Sequence, residues 1–229
     1  MNQTVLLDVH EVSKQFGGLR AVDNVSLSVR QGEIVSIIGP NGAGKTTFFN
    51  LLTGQLQPTA GEVRLRGAPI NDLPPHARAA QGMGRTFQIA KPLIALNALE
   101  KVMIGAFLKD AALSQASDKA FAVLQRVGMA HLASRRAGDL TLSERRRLEV
   151  ARALALSPTI VLLDEVMAGL NQSEVAQQID LLKGEIADSV RVEQPLGNLI
   201  SVGDRLICAT PFELDCYSVR EAFQTQLKD

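Results

Sequence analysis

Hydrophobic and polar residues alternate in two stretches of the first third of the chain. Val25, Leu27 and Val29 alternate with polar neighbours in VSLSVR (25–30), and EVRLRG (62–67) repeats the pattern. An alternation with period two predicts strands that have one buried face and one solvated face, as in an antiparallel layer.

Two other segments are almost continuously apolar, IVSII (34–38) and IVLL (160–163). This texture is typical of strands that are buried on both faces of a parallel sheet. Helical patterns dominate between them, over residues 92–152. One of these patterns, SDKAFAVLQRVGMAHL, has Ser117 or Asp118 as the expected cap of its first turn. The whole predicts an α/β core with an inserted helical segment.

Composition and charge exclude several classes of protein. Hydrophobic residues make up 46% of the chain, and 24 basic residues balance 24 acidic ones. This neutrality argues against a dedicated nucleic-acid-binding protein. Cys208 and Cys216 are too few for a disulfide framework, which favours a reduced, cytosolic protein. No apolar run approaches the roughly 20 residues of a transmembrane helix, so any work at a membrane is expected to be peripheral.

The strongest candidate for chemistry is GPNGAGKTT (39–47), which matches G-x-x-x-x-G-K-[ST] between a predicted strand and a predicted helix. Such glycines let backbone N–H groups turn toward phosphate oxygens, Lys45 adds a positive charge for the β- and γ-phosphates, and the Thr46 hydroxyl ligates Mg²⁺. The strand–loop–helix context disfavours the alternative of an ordinary glycine-rich turn. We therefore predict ATP and Mg²⁺ as cofactors. The predicted nucleotide contacts in this loop are Gly39, Asn41, Gly42, Ala43, Gly44, Lys45, Thr46 and Thr47.

A second candidate is IVLLDE (160–165). Asp164 ends the apolar run at the carboxyl end of a strand, which is where α/β proteins bind ligands. We predict that Asp164 binds Mg²⁺ and that Glu165 polarises an attacking water molecule. The alternative, two acidic surface residues at a strand end, is weakened by the presence of the phosphate loop.

The order of these motifs, with TFQ (86–88) and an LSGGQ-like stretch between them, resembles that of ABC transporter ATP-binding subunits over nearly the whole chain. FGGLRAVDNVSL, GRTFQ and LDEVMAGLN are most similar to the ATPase subunits of branched-chain amino acid type importers. The resemblance implies an α/β P-loop NTPase core, a parallel sheet with an N-terminal antiparallel layer. It also implies a single ABC ATPase domain (1–229), with a nucleotide-binding core (1–91 and 153–229) and a helical subdomain (92–152).

The resemblance also implies roles for residues outside the two motifs. Phe16 would stack on adenine, although packing in a turn is the alternative for this residue. Gln88 would contact Mg²⁺ and water and sense the membrane partner. The alternative is that Gln88 is an ordinary polar residue of a loop. Ala168 to Asn171 would form the loop that crosses the dimer interface.

The stretch that aligns with LSGGQ is LTLSE (140–144). In the family this segment grips the γ-phosphate of ATP on the other subunit, which implies that Thr141 and Ser143 do so here. Both family glycines are replaced, and the side chain of Leu142 and the charge of Glu144 oppose close approach of a phosphate. The spacing T-x-x-E also predicts a capping box that starts a helix at this point.

Four arginines follow in the same predicted helix, Arg145, Arg146, Arg147 and Arg152. We expect them to form a solvated, salt-bridging helix face. A nucleic-acid patch is disfavoured because the chain is neutral and no aromatic residues are interleaved with the arginines.

RVEQPLGNLISVGDRLI (191–207) resembles the family region that holds a histidine in contact with the γ-phosphate, which implies that Gln194 takes the place of this histidine. Replacing a charge-assisted hydrogen bond by a neutral one costs about 1.5–3 kcal/mol, or roughly tenfold to a hundredfold in rate. The strand before Gln194 is expected to be central and apolar, yet DSVRVE (188–193) carries Arg191. The last third of the chain is shorter than the family pattern.

The functional expectation is therefore the ATP-binding subunit of an ABC importer, an ATP hydrolase weakened by its altered signature and by Gln194. It would transport branched-chain amino acids or related small solutes. The expected partners are a second ATPase subunit, identical or paralogous, and transmembrane permease subunits at the cytoplasmic face of the membrane. The alternative is a nucleotide-binding module with weak or no hydrolysis that acts as a regulator or dimer partner. A soluble ABC protein that acts on DNA or ribosomes is disfavoured by the single cassette and the neutral charge.

Overall fold

The computed structural model describes residues 4–39, 42–86, 95–110, 112–164, 191–196, 199–204 and 206–210. The strands within these ranges are β1 (Val5–Phe16), β2 (Leu19–Arg30), β3 (Ile34–Ile38), β4 (Ala60–Leu65), β5 (Ala68–Pro69), β6 (Met83–Arg85), β7 (Ile160–Asp164), β8 (Arg191–Leu196), β9 (Leu199–Asp204) and β10 (Leu206–Thr210). The helices are α1 (Lys45–Leu52), α2 (Pro75–Ala80), α3 (Ala98–Ala106), α4 (Leu113–Arg126) and α5 (Leu142–Ala155), with 3₁₀ turns at Ala130–Leu132 and Ala137–Asp139. Among the helices of these ranges, none combines the length and the apolar character needed to cross a membrane.

Four strands form an antiparallel sheet in the order β2-β1-β4-β5. Val9 of β1 lies in register with Leu27 of β2 on one side and with Val63 of β4 on the other. Val9 and Val63 are buried and Leu27 packs against the same cluster, so alternate residues build one apolar face. The predicted antiparallel layer is confirmed. The predicted strand 25–30 lies within β2, whereas 62–67 overlaps β4 only as far as Leu65.

Six strands form a second sheet in the order β6-β7-β10-β3-β9-β8. The first four are parallel, whereas β9 and β8 join antiparallel. The two strands predicted from continuous apolar runs, β3 and β7, both have a neighbour on each side. The predicted α/β core with an N-terminal antiparallel layer is therefore confirmed.

The expectation for the strand around Gln194 was wrong. Gln194 lies inside β8, at the edge of the sheet, and β9 separates this strand from β3. Pro195 explains the edge position, because proline has no N–H to donate to a ladder and is confined to edges and bulges. The pairing of β8 with β9 is irregular between Glu193 and Leu196. The central position between β3 and β7 is taken by β10, whose sequence LICAT is more apolar.

In the region for which helical patterns were predicted, the residues that the structure describes form three α-helices. Helix α4 begins at Leu113, earlier than expected, with Ala112 at its N-cap and no side-chain cap, so the predicted cap at Ser117 or Asp118 is wrong. Helix α3 begins with a capping box in which Asn97 and Glu100 exchange hydrogen bonds of 2.8 Å. Contacts among α3, α4 and α5 build their own apolar cluster.

Strand β7 belongs to both apolar clusters of the described residues. Ile160 and Leu162 pack with α1 and the antiparallel layer, whereas Val161 and Leu163 pack with the helices α3 to α5. All of β7 is buried on both faces. This packing fixes the end of the strand, where Asp164 lies.

Candidate functional site

The loop between β3 and α1 has the backbone that the phosphate-loop motif requires. Gly42 and Gly44 have φ values of +85° and +87°, a region that favours glycine. A Cβ on Gly44 would lie 2.1 Å from the carbonyl oxygen of Ala21, so close packing against β2 also requires glycine there. Gly44 is the N-cap of α1, and the first turn of the helix contains no acidic residue. The start of α1 is therefore suited to an anion.

Lys45 is the first residue of α1 and is 7% exposed. Its ammonium group donates a hydrogen bond to the carbonyl oxygen of Gly39, across the loop. Thr46 is exposed, and Ala43 and Thr47 are partly buried. The loop thus carries a cation and an accessible hydroxyl at its helical end.

Asp164 ends β7 and is 2% exposed. Its backbone N–H donates to Thr86 Oγ1 at 3.1 Å, and its Oδ2 atom accepts from Arg85 Nη2 at 3.1 Å. Ala209 of β10 is in register with both Ile37 of β3 and Asp164. Ile37 and Asp164 are therefore two strand spacings, or about 10 Å, apart. Because β3 and β7 are parallel, the acidic residue and the phosphate loop lie at the same end of the sheet, at the carboxyl ends of these strands.

The donor atoms at this end of the sheet fit Mg²⁺. The Thr46 hydroxyl and the Asp164 carboxylate are hard oxygen donors, and Mg²⁺ is usually held by one or two carboxylates together with substrate phosphates and water. Among the described residues, no group of three or more His, Cys, Asp or Glu side chains could hold a metal ion alone. The arrangement suits a metal ion that arrives with a nucleotide.

Arg85 is a functional candidate that the sequence analysis missed. Its side chain is 7% exposed, and it forms the ion pair with Asp164 described above. Burial lowers the pKa of the Arg85 guanidinium, and the charge of Asp164 opposes this shift. An arginine nevertheless stays protonated in proteins. The only local signal was a basic residue in GRTFQ, and the strand that it ends, β6, was not predicted.

The stretch aligned with the family signature starts α5, as predicted. Thr141 is the N-cap, and its side chain accepts from the N–H of Glu144 while the Glu144 carboxylate accepts from the N–H of Thr141. The predicted capping box is confirmed. The hydrogen bond from the Thr141 backbone lowers the pKa of Glu144. Ser143 follows in the first turn, next to Leu142, which is 53% exposed.

The arginines of α5 have different environments. Arg145 donates to the carbonyl oxygens of Leu140 and Gly138 at 2.8 and 2.7 Å, and it is exposed. Arg152 pairs with Glu149 at 2.7 Å with its side chain only 12% exposed. The predicted face is therefore solvated at Arg145, which bonds to backbone carbonyls, whereas the salt bridge at Arg152 is largely buried.

The remaining predicted residues belong to other elements or lie outside the described part of the chain. Phe16 ends β1 and is 45% exposed, and the ammonium group of Lys14 lies 5.2 Å from the centroid of its ring. An exposed ring is compatible with stacking, and the adenine contact stays a prediction. The structure describes Gln194 only as part of the edge strand β8. The calls that lie outside the described residues are Asn41, Gln88, Glu165 and the loop 168–171.

Comparison with known proteins identifies the family. A family model described as ABC transporter matches residues 22–168. The chain is 38% identical over 221 residues to the high-affinity branched-chain amino acid transport ATP-binding protein LivG of Salmonella typhimurium, covering 88% of this chain and 86% of the relative. It is 37% identical over 225 residues to BraF of Pseudomonas aeruginosa, which carries the same description, with 88% and 87% covered.

Solved structures agree with this assignment. A nucleotide-free ATP-binding cassette from an ABC transporter superposes with a TM-score of 0.75 at 27% identity, covering 92% of this chain and 83% of that one. The dimeric cassette MJ0796 gives a TM-score of 0.73 at 26% identity, with 90% and 88% covered. The fold, the phosphate loop and these matches lead to one conclusion: the chain belongs to the ATP-binding proteins of ABC transporters.

Proposed function

We propose that this chain is the ATP-hydrolysing subunit of an ABC importer for branched-chain amino acids or related small solutes. The observation that carries the proposal is the pairing of Ala209 with both Ile37 and Asp164, because it brings an acidic strand end beside the phosphate loop. The names of LivG and BraF, branched-chain amino acid transport ATP-binding proteins, support the solute class.

Nucleotide binding would use the loop 39–47 and one aromatic ring. The backbone N–H groups of the loop and the start of α1 would surround the phosphates. Lys45 would exchange its hydrogen bond to Gly39 for one to the β- and γ-phosphates. The exposed ring of Phe16 would stack on adenine.

Hydrolysis would depend on positioning rather than on covalent chemistry. Thr46, Gln88 and Asp164 would hold Mg²⁺, which supplies positive charge at the phosphates when bound. Glu165 would act as the general base that polarises the attacking water, and Gln88 would also orient this water. Because Glu165 directly follows the buried end of β7, the strand that anchors Asp164 would anchor the base as well.

The complete site would require a second ATPase subunit, in which Thr141 and Ser143 of one chain contact the γ-phosphate bound by the other. The dimeric MJ0796 structure supports this arrangement. Permease subunits at the cytoplasmic face of the membrane would complete the transporter. In this proposal residues 92–152 form the helical subdomain, and residues 1–91 and 153–229 form the core. The regulatory alternative, a module without hydrolysis, finds no support among the relatives.

The test is steady-state ATP hydrolysis by the purified chain with Mg²⁺, alone and with its permease in proteoliposomes. We expect turnover that Glu165→Gln abolishes while nucleotide binding persists. Branched-chain amino acid uptake by the proteoliposomes should depend on the same residue. Nucleotide binding without any Glu165-dependent turnover, in both preparations, would favour the regulatory module instead.

Gln194 needs its own variant in this assay. A contact between Gln194 and the γ-phosphate predicts that Gln194→His raises turnover by about tenfold to a hundredfold. The edge position of β8 predicts unchanged turnover, because β9 separates this strand from the one that precedes the phosphate loop.

A further inference from the structure

Two buried arginines hold the C-terminal end of α1, and only one of them reaches the candidate metal site. Arg78 is 1% exposed and donates to the carbonyl oxygens of Leu51 and Leu52, both at 2.8 Å. Arg85 donates to side-chain oxygens of the same region and also to the carboxylate of Asp164. Arg78 can therefore serve as a control for Arg85, because both side chains bond to the C-terminal end of α1 and only Arg85 also bonds to Asp164.

The guanidinium of Arg85 joins two parts of the site that the backbone does not connect directly. Its Nη1 atom donates to Asn50 Oδ1 at 2.7 Å and to Thr53 Oγ1 at 2.9 Å, and it reaches Gln55 Oε1 at 3.2 Å. Its Nη2 atom donates to Asp164 Oδ2 at 3.1 Å. A planar fork of this kind fixes direction as well as distance.

We propose that Arg85 is a positioning residue that sets the carboxylate of Asp164 relative to α1, and thereby sets the separation of the two proposed Mg²⁺ ligands, Asp164 and Thr46. Thr46 lies on α1, whereas Asp164 lies on β7, and β10 separates β7 from the strand that precedes α1. The contact through Arg85 is a direct side-chain link between β7 and the C-terminal end of α1, the helix that carries Thr46 in its first turn. This inference rests on the proposed function.

Whether Mg²⁺ binds more tightly or more weakly after the Arg85 charge is removed decides between two roles for this residue. A guanidinium close to the site repels Mg²⁺, so a purely electrostatic role predicts tighter metal binding when the charge is removed. Orientation predicts the reverse, because residues that orient a metal ligand usually contribute tenfold to a hundredfold to metal affinity or activity. Asp164 is 2% exposed and Arg85 is held at both ends, which favours orientation as the larger effect.

The experiment measures how much Mg²⁺ strengthens nucleotide binding. The dissociation constant of a fluorescent ADP analogue is determined in EDTA and in excess Mg²⁺ for the wild type, Arg85→Met, Arg85→Lys and Arg78→Met. The gain from Mg²⁺ is the ratio of the constant in EDTA to the constant in Mg²⁺. We expect Arg85→Met to bind in EDTA like the wild type and to reduce the gain from Mg²⁺ by about tenfold. Arg85→Lys should restore part of this gain. Arg78→Met should lower thermal stability and keep the whole gain.

A second variant tests the inference if Arg85→Met does not fold. Asn50→Ala removes the oxygen that accepts from Arg85 at 2.7 Å and leaves the ion pair with Asp164 in place. It should reduce the gain from Mg²⁺ about threefold, part of the tenfold expected for Arg85→Met. An unchanged or increased gain in Asn50→Ala and in the folded Arg85 variants overturns the inference. A wild type with no gain from Mg²⁺ and no turnover would instead overturn the proposed function.

Discussion

Thr141 and Glu144 exchange hydrogen bonds across the first turn of α5. The Thr141 hydroxyl oxygen accepts from the N–H of Glu144 at 3.2 Å, and the Glu144 carboxylate accepts from the N–H of Thr141 at 2.7 Å. The helix start that aligns with the family signature therefore satisfies two of its own N–H groups. A phosphate from a second subunit would approach a turn that already carries a negative charge.

This cap should contribute measurably to stability. Thr141→Ala removes the acceptor for the Glu144 N–H and should lower the free energy of unfolding by about 1 kcal/mol. Thr141→Ser keeps a hydroxyl at the N-cap and should cost less. Urea denaturation of the three proteins checks the order, and equal stability of the alanine variant and the wild type would contradict it.

The same cap predicts a dependence on pH. The hydrogen bond from the Thr141 backbone lowers the pKa of Glu144 in the folded chain. A carboxyl with a lowered folded pKa stabilises the fold above its unfolded pKa, which is about 4.3, and loses this contribution as the pH falls through the folded value. Glu144→Gln keeps an acceptor without the charge. We expect the stability difference between wild type and Glu144→Gln to be constant from pH 7 to pH 5 and to shrink below about pH 4.3.

Urea midpoints of both proteins at pH 7, 5, 4 and 3 test this dependence. A difference that stays constant to pH 3 would show that the lowered pKa of Glu144 does not contribute to stability. The comparison is internal, because all other acidic residues are shared by the two proteins.

Gly42 and Gly44 of the phosphate loop should tolerate alanine to different degrees. Both have positive φ, which costs an alanine about 1–2 kcal/mol. A Cβ on Gly42 meets no atom within 4 Å, whereas a Cβ on Gly44 would lie 2.1 Å from the backbone oxygen of Ala21. Gly44→Ala should therefore cost about 1–3 kcal/mol more than Gly42→Ala. Denaturant unfolding without nucleotide separates this packing effect from phosphate binding, and equal losses would contradict the contact with Ala21.

Local patterns predicted those parts of the fold and site whose causes are local. The capping box at Thr141 depends on two residues that are three positions apart. Strands β3 and β7 are predicted by short apolar runs that directly precede the phosphate loop and include the residues before Asp164. The antiparallel layer followed from period-two alternation. In each of these cases the sequence neighbours supply most of the information.

Features that depend on distant partners could not be predicted in this way. Arg85 meets Asn50 and Asp164, which are 35 and 79 residues away, so no pattern around GRTFQ reveals a buried link. Strands β10 and β9 flank β3, although all three C-terminal strands are distant from β3 in the sequence. Pro195 disfavours an interior position for β8, but no local pattern indicates which of the other two strands lies on which side of β3. Helix α4 starts at a residue without a capping side chain, which left no signal at its boundary.

A buried charge cluster between α3 and α5 gives the last prediction. Glu149 pairs with Lys101 through Oε1 and with Arg152 through Oε2, both at 2.7 Å, and the three side chains are 8%, 5% and 12% exposed. Removing a single partner from a buried pair leaves uncompensated charge and costs about 3–5 kcal/mol. Glu149→Gln, which removes the carboxylate that pairs with both Lys101 and Arg152, should therefore lower the free energy of unfolding by about this amount.

The exposed pair of Arg20 and Asp23 is the control, since its side chains are 60% and 58% exposed at a similar distance of 2.9 Å. Asp23→Asn should cost less than about 1 kcal/mol, because solvent screens an exposed ion pair. Adding Lys101→Met to Glu149→Gln should recover part of the loss, since the buried cation that pairs with Glu149 Oε1 is removed together with the carboxylate. A loss for Glu149→Gln as small as that for Asp23→Asn, or no recovery in the double variant, would mean that the cluster does not join α3 to α5 as its geometry implies.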